Sequence, residues 1–197
     1  MREILIATKN KGKVQEFEQL FAQFDFRVKS LLDIDDAIDV EEDGETFQEN
    51  AIKKAETIAS EFNISTLADD SGLIVDALNG EPGVFSARYA GAKKDDQENL
   101  EKVLDELQGV PESERSARFH CSLALATPGE KTIIVDGTCE GVITTTPIGD
   151  NGFGYDPIMF IPALGKTMAE LSKQEKNEIS HRANALKKLK EVLVTII

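Results

Sequence analysis

The sequence predicts an α/β protein built on a mixed sheet. Three observations predict it. Short β-compatible apolar runs alternate with stretches of helical periodicity, helices both separate strands and follow the last one, and one pair of long runs is joined closely enough to form a hairpin.

The elements follow in chain order. Ile4–Ala7 is an unbroken apolar run of strand length and reads as a buried strand. Lys11–Phe24 reads as a helix, with Val14, Phe17, Leu20, Phe21 and Phe24 on one face. The acidic segment through Glu45 is a loop that includes at most a short strand. Thr46-Phe47-Gln48-Glu49 is a capping box, in which hydroxyl and carboxylate satisfy each other's backbone N–H groups. It opens a helix with Phe47, Ala51, Ala55, Ile58 and Phe62 inward. Thr66–Ala68 and Leu73–Leu78 are strand candidates flanking Asp69-Asp70-Ser71-Gly72, where Ser-Gly reads as a turn. Asn79-Gly80-Glu81-Pro82-Gly83 is a turn, and Phe85–Gly91 is irregular. Asp96–Leu107 is helical, carrying Leu100, Val103, Leu104 and Leu107. Arg118–Ala126 and Lys131–Ile143 form the antiparallel pair, joined at Thr127-Pro128-Gly129-Glu130. Pro157–Ile161 is a further strand. Lys176–Ile196 is a final helix with Ile179, Ala183, Leu186, Leu189 and Leu193 inward. No repeat, low-complexity tract or long linker interrupts this order, so residues 1–197 read as one domain, or two lobes sharing one sheet.

Charge narrows the function. The 22 basic and 36 acidic residues leave a net charge of −14, which repels nucleic acid over most of the surface but permits a local basic pocket for a small anion. The charge is uneven. Asp33 to Glu45 holds eight acids and no base, whereas Lys166 to Lys190 holds seven Lys or Arg, His181 and three acids. Two solvated faces of opposite sign would account for most of these residues. Cys121 and Cys139 lack metal-type spacing and read as buried reduced thiols, which points to the cytoplasm. The apolar part of the N-terminus is too short for a signal peptide, and no run approaches the roughly 20 residues that span a bilayer.

The chemistry centres on Asp69-Asp70. Two like charges close together between apolar runs are costly unless a cation or hydrogen-bond donors stabilise them. A hard divalent ion with oxygen ligands answers that need, and Mg²⁺ then implies a phosphate substrate; an acidic turn is the competing explanation. The first strand–helix turn, Thr8-Lys9-Asn10-Lys11-Gly12-Lys13, offers hydroxyl, amide and ammonium groups at a helix N-terminus, where phosphates bind. It matches neither a Walker A loop nor a dinucleotide fingerprint, and a plain lysine-rich loop is the alternative. Glu41 and Glu42, before the capped helix, and Lys53 and Lys54, on it, are candidates for a second metal carboxylate and a further phosphate lysine, or are solvated charges. In Phe153-Gly154-Tyr155-Asp156-Pro157, Phe153 or Tyr155 could stack on a planar base while Asp156 accepts its N–H groups; core aromatics are the alternative. Lys176 and Ser180-His181-Arg182 open the last helix. Arg182, a pure donor, would favour a 6-oxo purine over adenine.

Taken together, these segments resemble the inosine triphosphate pyrophosphatase family. The resemblance rests on Thr8–Lys13, Thr46-Phe47-Gln48-Glu49-Asn50-Ala51, Ala68-Asp69-Asp70-Ser71-Gly72-Leu73, Pro82-Gly83-Val84-Phe85-Ser86-Ala87-Arg88-Tyr89, Phe153–Pro157 and Ile179-Ser180-His181-Arg182, in the family's order. It runs from Ile6 to the last helix, with free variation only at Lys9 and Lys11.

The resemblance implies hydrolysis of inosine, deoxyinosine and xanthosine triphosphates to monophosphate and pyrophosphate, with Mg²⁺ as cofactor. It implies Asp70 as the catalytic acid-base residue and metal ligand, and Glu41, three residues before Gly44, as the second metal carboxylate, with Glu42 one residue on. Thr8, Lys9, Asn10, Lys11, Gly12 and Lys13 match the phosphate loop, Lys54 adds to it, and Ser71 contacts substrate. Phe153, Gly154, Tyr155, Asp156, Lys176, His181 and Arg182 match the base pocket. The implied fold is a long, curved mixed sheet with flanking helices forming two lobes around a central cleft, usually in a homodimer. The related septum-formation nucleotide pyrophosphatases share the architecture but lack the Ser-His-Arg ending. A nucleotide sensor without turnover would not need paired metal carboxylates.

Overall fold

The structure, a computed structural model, describes residues 2–22, 26–35 and 37–196, with side chains apart from those at 2, 26 and 193–196. The expected inward positions of Phe24 and Leu193 lie outside the described residues or side chains. Among the described residues the strands are β1 (Arg2–Ile6), β2 (Phe26–Ser30), β3 (Thr66–Val75), β4 (Ser116–Ala126), β5 (Ile133–Ile143), β6 (Met159–Ile161) and β7 (Lys166–Thr167). They form one sheet in the order β2-β1-β3-β4-β5-β6-β7. β1 runs parallel to β2 and β3, while β6 is antiparallel to β5 and β7, so the sheet is mixed. The helices are α1 (Lys11–Phe21), α2 (Phe47–Phe62), α3 (Asp96–Glu106), α4 (Lys173–Ile179) and α5 (His181–Ile196).

The chain divides into two compact units. The first comprises Met1–Asp70, Cys121–Gly137 and Ala183–Ile197. Its strands bury both faces, and side-chain alternation sorts them into two layers. Ile4 and Ile6 of β1, Leu67 of β3 and Leu123 of β4 join Phe17 and Leu20 of α1 and Leu186 and Leu189 of α5. Leu5, Ala68 and Ala124, each one residue out of phase, join Ala51, Ala55 and Ile58 of α2. The second unit, Ser71–His120 and Thr138–Arg182, packs Leu73 and Val75 of β3 with Leu100 and Val103 of α3, Phe119, Ile143, Tyr155 and Met159.

Caps act where they were expected. Thr46 Oγ1 accepts from the Glu49 N–H while Glu49 Oε2 accepts from the Thr46 N–H, closing the box at the start of α2. Two expectations are corrected. Asp69-Asp70-Ser71-Gly72 is no turn: β3 runs through it unbroken for ten residues. The final helix is not continuous either. Ser180, at φ −62° and ψ 153°, leaves helical geometry, ends α4 and lets α5 start at His181. No helix among the described residues is long and apolar enough to cross a membrane.

Candidate active site

Strand alternation resolves how two adjacent acids are tolerated. Asp69 and Asp70 are both buried, but they leave β3 on opposite faces, as Leu67 and Ala68 do before them. Asp69 therefore meets α1, where Lys13 Nζ lies 2.9 Å from its Oδ2. Asp70 meets α2, where Asn50 Nδ2 donates to its Oδ2 at 2.9 Å and Lys54 Nζ lies 3.9 Å from Oδ1.

Lys54 is the hub of this cluster. It is buried, and its ammonium also donates to Glu42 and to the Asp69 carbonyl. Burial works against its charge, yet Asp69, Glu42 and Asp70 hold its pKa above the ordinary lysine value. Burial also disfavours charge on Glu42, but Lys54 outweighs it and holds that carboxyl low. Asp70 goes the other way. Burial, helped by the charge of Glu42, pushes its pKa up to about 6 despite Lys54, Lys13 and Asn50.

The residues expected to form a phosphate loop sit at the head of α1. Asn10 is the N-cap, accepting from the Lys13 N–H at 3.1 Å, and Thr8 Oγ1 accepts from the Asn10 N–H at 3.2 Å. Lys11 and Gly12 start the helix, whose first-turn N–H groups lie ahead of its hydrogen-bond ladder. Lys9 is exposed and donates instead to the Ala37 carbonyl at 2.9 Å; Lys11 is exposed.

The structure separates the two candidate glutamates. Glu42 reaches Lys54 and bears on Asp70, whereas the preceding Glu41 is exposed and is not brought to that carboxylate. Lys53 is the solvated charge of its pair, held by exposed Asp43 at 2.6 Å.

The cluster suits a hard cation. Asp69, Asp70 and Glu42 bring three carboxylates against the two ammonium groups of Lys13 and Lys54, an excess of one negative charge with only oxygen donors on the acidic side. The described residues hold no ready-made group of three His, Cys, Asp or Glu side chains in metal-holding geometry.

The second unit holds the remaining candidates. Asp156 is buried, and its Oδ2 accepts from Lys176 Nζ at 2.7 Å and from the Phe153 N–H at 3.0 Å. A Cβ on Gly152 would lie 1.9 Å from that oxygen, and its φ of +79° is a conformation that favours glycine, so only glycine lets the loop close there. The half-buried Phe153 ring is flanked by Lys176 Nζ at 4.9 Å and the Arg182 guanidinium at 5.5 Å from its centroid. Arg182 donates to Ser71 Oγ at 2.7 Å, and His181 stacks on Phe119 with centroids 5.0 Å apart. Gly154 donates its N–H to Asp96 at 2.9 Å.

Tyr155 is a core residue. It is 6% exposed, packs with Leu73 and Met159, and donates to the Ser86 carbonyl at 2.7 Å, so Phe153 is the aromatic left to face a planar ligand. Burial raises the Tyr155 phenol pKa well above its ordinary value. Asn50 is the site residue that sequence reasoning overlooked. Its signal was legible: Asn50 and Lys54 form a polar pair four residues apart on the apolar face of α2.

An α/β protein with a carboxylate–ammonium cluster in one unit and a cation-flanked aromatic in the other is of a class that comparison can narrow. The sequence model of the Ham1 family matches residues 4–192, and the chain belongs to that family. A dITP/XTP pyrophosphatase of Halalkalibacterium halodurans is 61% identical over 189 residues, covering 96% of this chain and 97% of its own. A protein of the same name from Geobacillus kaustophilus is 59% identical, covering 97% and 94%. The solved Staphylococcus aureus Ham1 protein is similar over the full length of both chains, with 46% identity and a TM-score of 0.88.

Proposed function

We propose that this protein hydrolyses inosine, deoxyinosine and xanthosine triphosphates to the monophosphate and pyrophosphate, clearing non-standard purines from the nucleotide pool. The observation that carries the reading is the buried Asp70, held near neutrality with Lys54 at 3.9 Å, on a strand whose preceding residue, Asp69, pairs with Lys13 at 2.9 Å.

In this reading Lys13, the N–H groups at the head of α1, and Lys54 take the triphosphate. Thr8 and Asn10 hold the loop in shape. Phe153 faces the base, backed by Lys176 and Arg182, and His181 is placed by its stack on Phe119. Asp70, ionised above about pH 6, accepts the proton of the attacking water. The water oxygen bonds to the α-phosphorus, the bond to the bridging oxygen breaks, and pyrophosphate leaves with its charge met by Lys13 and Lys54. Mg²⁺, held by Asp70 and a glutamate of the Glu41–Glu42 pair, would neutralise phosphate charge and orient the groups. The protein works in this reading as a cytoplasmic homodimer of single-domain chains.

The test is pyrophosphate release from inosine and xanthosine triphosphates, with adenosine and guanosine triphosphates as controls. Release with Mg²⁺ that EDTA abolishes supports the reading. Tight binding of the same nucleotides without release refutes it, and light scattering on the eluted protein tests the dimer.

A further inference from the structure

Asn50 connects two parts of the site that nothing in its immediate sequence joins. Asn50 is 1% exposed, and both ends of its amide are used. Oδ1 accepts from the Gly44 N–H at 2.8 Å, and Nδ2 donates to Asp70 Oδ2 at 2.9 Å. The two bonds fix the amide's orientation, because a backbone N–H needs an acceptor and a carboxylate needs a donor. The next two N–H groups, of Glu45 and Thr46, go to Glu49 Oε2 at 2.8 and 3.1 Å, so the end of the acidic segment is laid residue by residue on the head of α2.

Gly44 permits this close approach. A Cβ there would lie 2.8 Å from Asn50 Oδ1 and 2.9 Å from Glu49 Cβ, closer than real Cβ atoms come. Asn50 also divides the labour of the Asp70 oxygens. With Oδ2 held by the amide, Oδ1 is the oxygen turned toward Lys54.

We propose that Asn50 is a positioning residue, which sets the spacing between the Glu41–Gly44 segment and the Asp70 carboxylate and holds that carboxylate with Oδ1 toward Lys54. The inference rests on the assignment of Asp70 above. A displacement of about 1 Å at a catalytic group can cost on the order of 10²-fold in rate, so loss of the amide should act on kcat far more than on KM. Asn50→Ala removes both bonds. Asn50→Asp keeps an acceptor for Gly44 but sets oxygen against Asp70. Gly44→Ala leaves Asn50 in place and pushes the acidic segment off it.

The experiment measures kcat and KM for inosine triphosphate, and separately the rise in melting temperature that Mg²⁺ alone gives without nucleotide, on wild type, the three variants and Asp70→Asn. The expected result is a kcat loss of about 10²-fold in Asn50→Ala and Asn50→Asp with KM within threefold, and a diminished Mg²⁺-induced rise in all three. Gly44→Ala should add little to Asn50→Ala in the double variant, because both release the same contact. Should Asn50→Ala not fold, Gly44→Ala, which leaves α2 intact, decides by the same two readouts. Wild-type kcat and an undiminished Mg²⁺-induced rise, with Asp70→Asn inactive, would overturn the role of Asn50 alone. An active Asp70→Asn would overturn the Asp70 assignment and this inference with it.

Discussion

Replacing Asp70 with Asn should destroy activity and make the protein more stable. The carboxyl titrates at about 6 in the folded protein against an unfolded value of 3.8, chiefly because burial disfavours its charge. Between those two values the folded state holds the proton more tightly than the unfolded state does. Stability therefore falls as pH rises from about 4 to about 6, and the full cost stands at higher pH. A carboxyl displaced that far corresponds to roughly 3 kcal/mol. Asn mimics the protonated form: its carbonyl oxygen still accepts from Asn50, and the nearest ammonium, Lys54, is 3.9 Å away and keeps Glu42 and the Asp69 carbonyl. The variant should thus gain up to about 3 kcal/mol at pH 8, or roughly 6–12 °C in Tm for a chain of this size. The gain should shrink through pH 5 and vanish near pH 3.5. Hydrolysis should drop by 10²-fold or more as the base is lost. Thermal melts in EDTA from pH 3.5 to 8, beside pyrophosphate release with Mg²⁺, measure both. A Tm at pH 8 equal to or below wild type, or a difference that does not change with pH, would refute the electrostatic account. Retained kcat would refute the catalytic one.

Lys13→Ala removes the partner of Asp69 at 2.9 Å and, in the proposed reading, a phosphate contact that does not read the base. It should lower kcat/KM for inosine and guanosine triphosphates by similar factors; a base-dependent loss would move Lys13 out of the phosphate loop. Arg182→Ala removes a donor-only group that would pair with O6 of inosine but not with the amino group of adenine. The inosine-to-adenosine ratio in kcat/KM should shrink roughly 10- to 100-fold while the inosine-to-guanosine ratio holds. An unchanged first ratio would leave Arg182 as the anchor of Ser71 only. Glu41→Gln and Glu42→Gln tell which glutamate serves the metal. Glu42→Gln, which removes the carboxylate set beside Lys54 and Asp70, should raise the Mg²⁺ concentration for half-maximal activity several-fold, whereas Glu41→Gln, which changes an exposed side chain, should move it less. The reverse pattern in a Mg²⁺ titration would exchange the two roles.

Much of the fold is local and was legible in the sequence. Helical periodicity located α1, α2 and α3, and the Thr46–Glu49 box marked where α2 begins, because caps and amphipathic spacing are properties of a few consecutive residues. The resemblance named the segments of the candidate site for the same reason. What tertiary structure decided is where a side chain goes once an element is packed. Ser71-Gly72, turn-like in isolation, is extended because β3 is held inside the sheet, and that extension sends Asp69 to Lys13 and Asp70 to Asn50 and Lys54. Tyr155 reads like Phe153 in sequence, but the second unit's core buries it on the Ser86 carbonyl. Glu41 and Glu42 carry the same charge one residue apart, and only the laying of their segment along α2 brings Glu42 to Lys54. Residue type and spacing determined which chemical groups this protein carries. Burial and strand direction, which depend on residues far apart in the chain, decided which groups meet and which proton is held near neutrality.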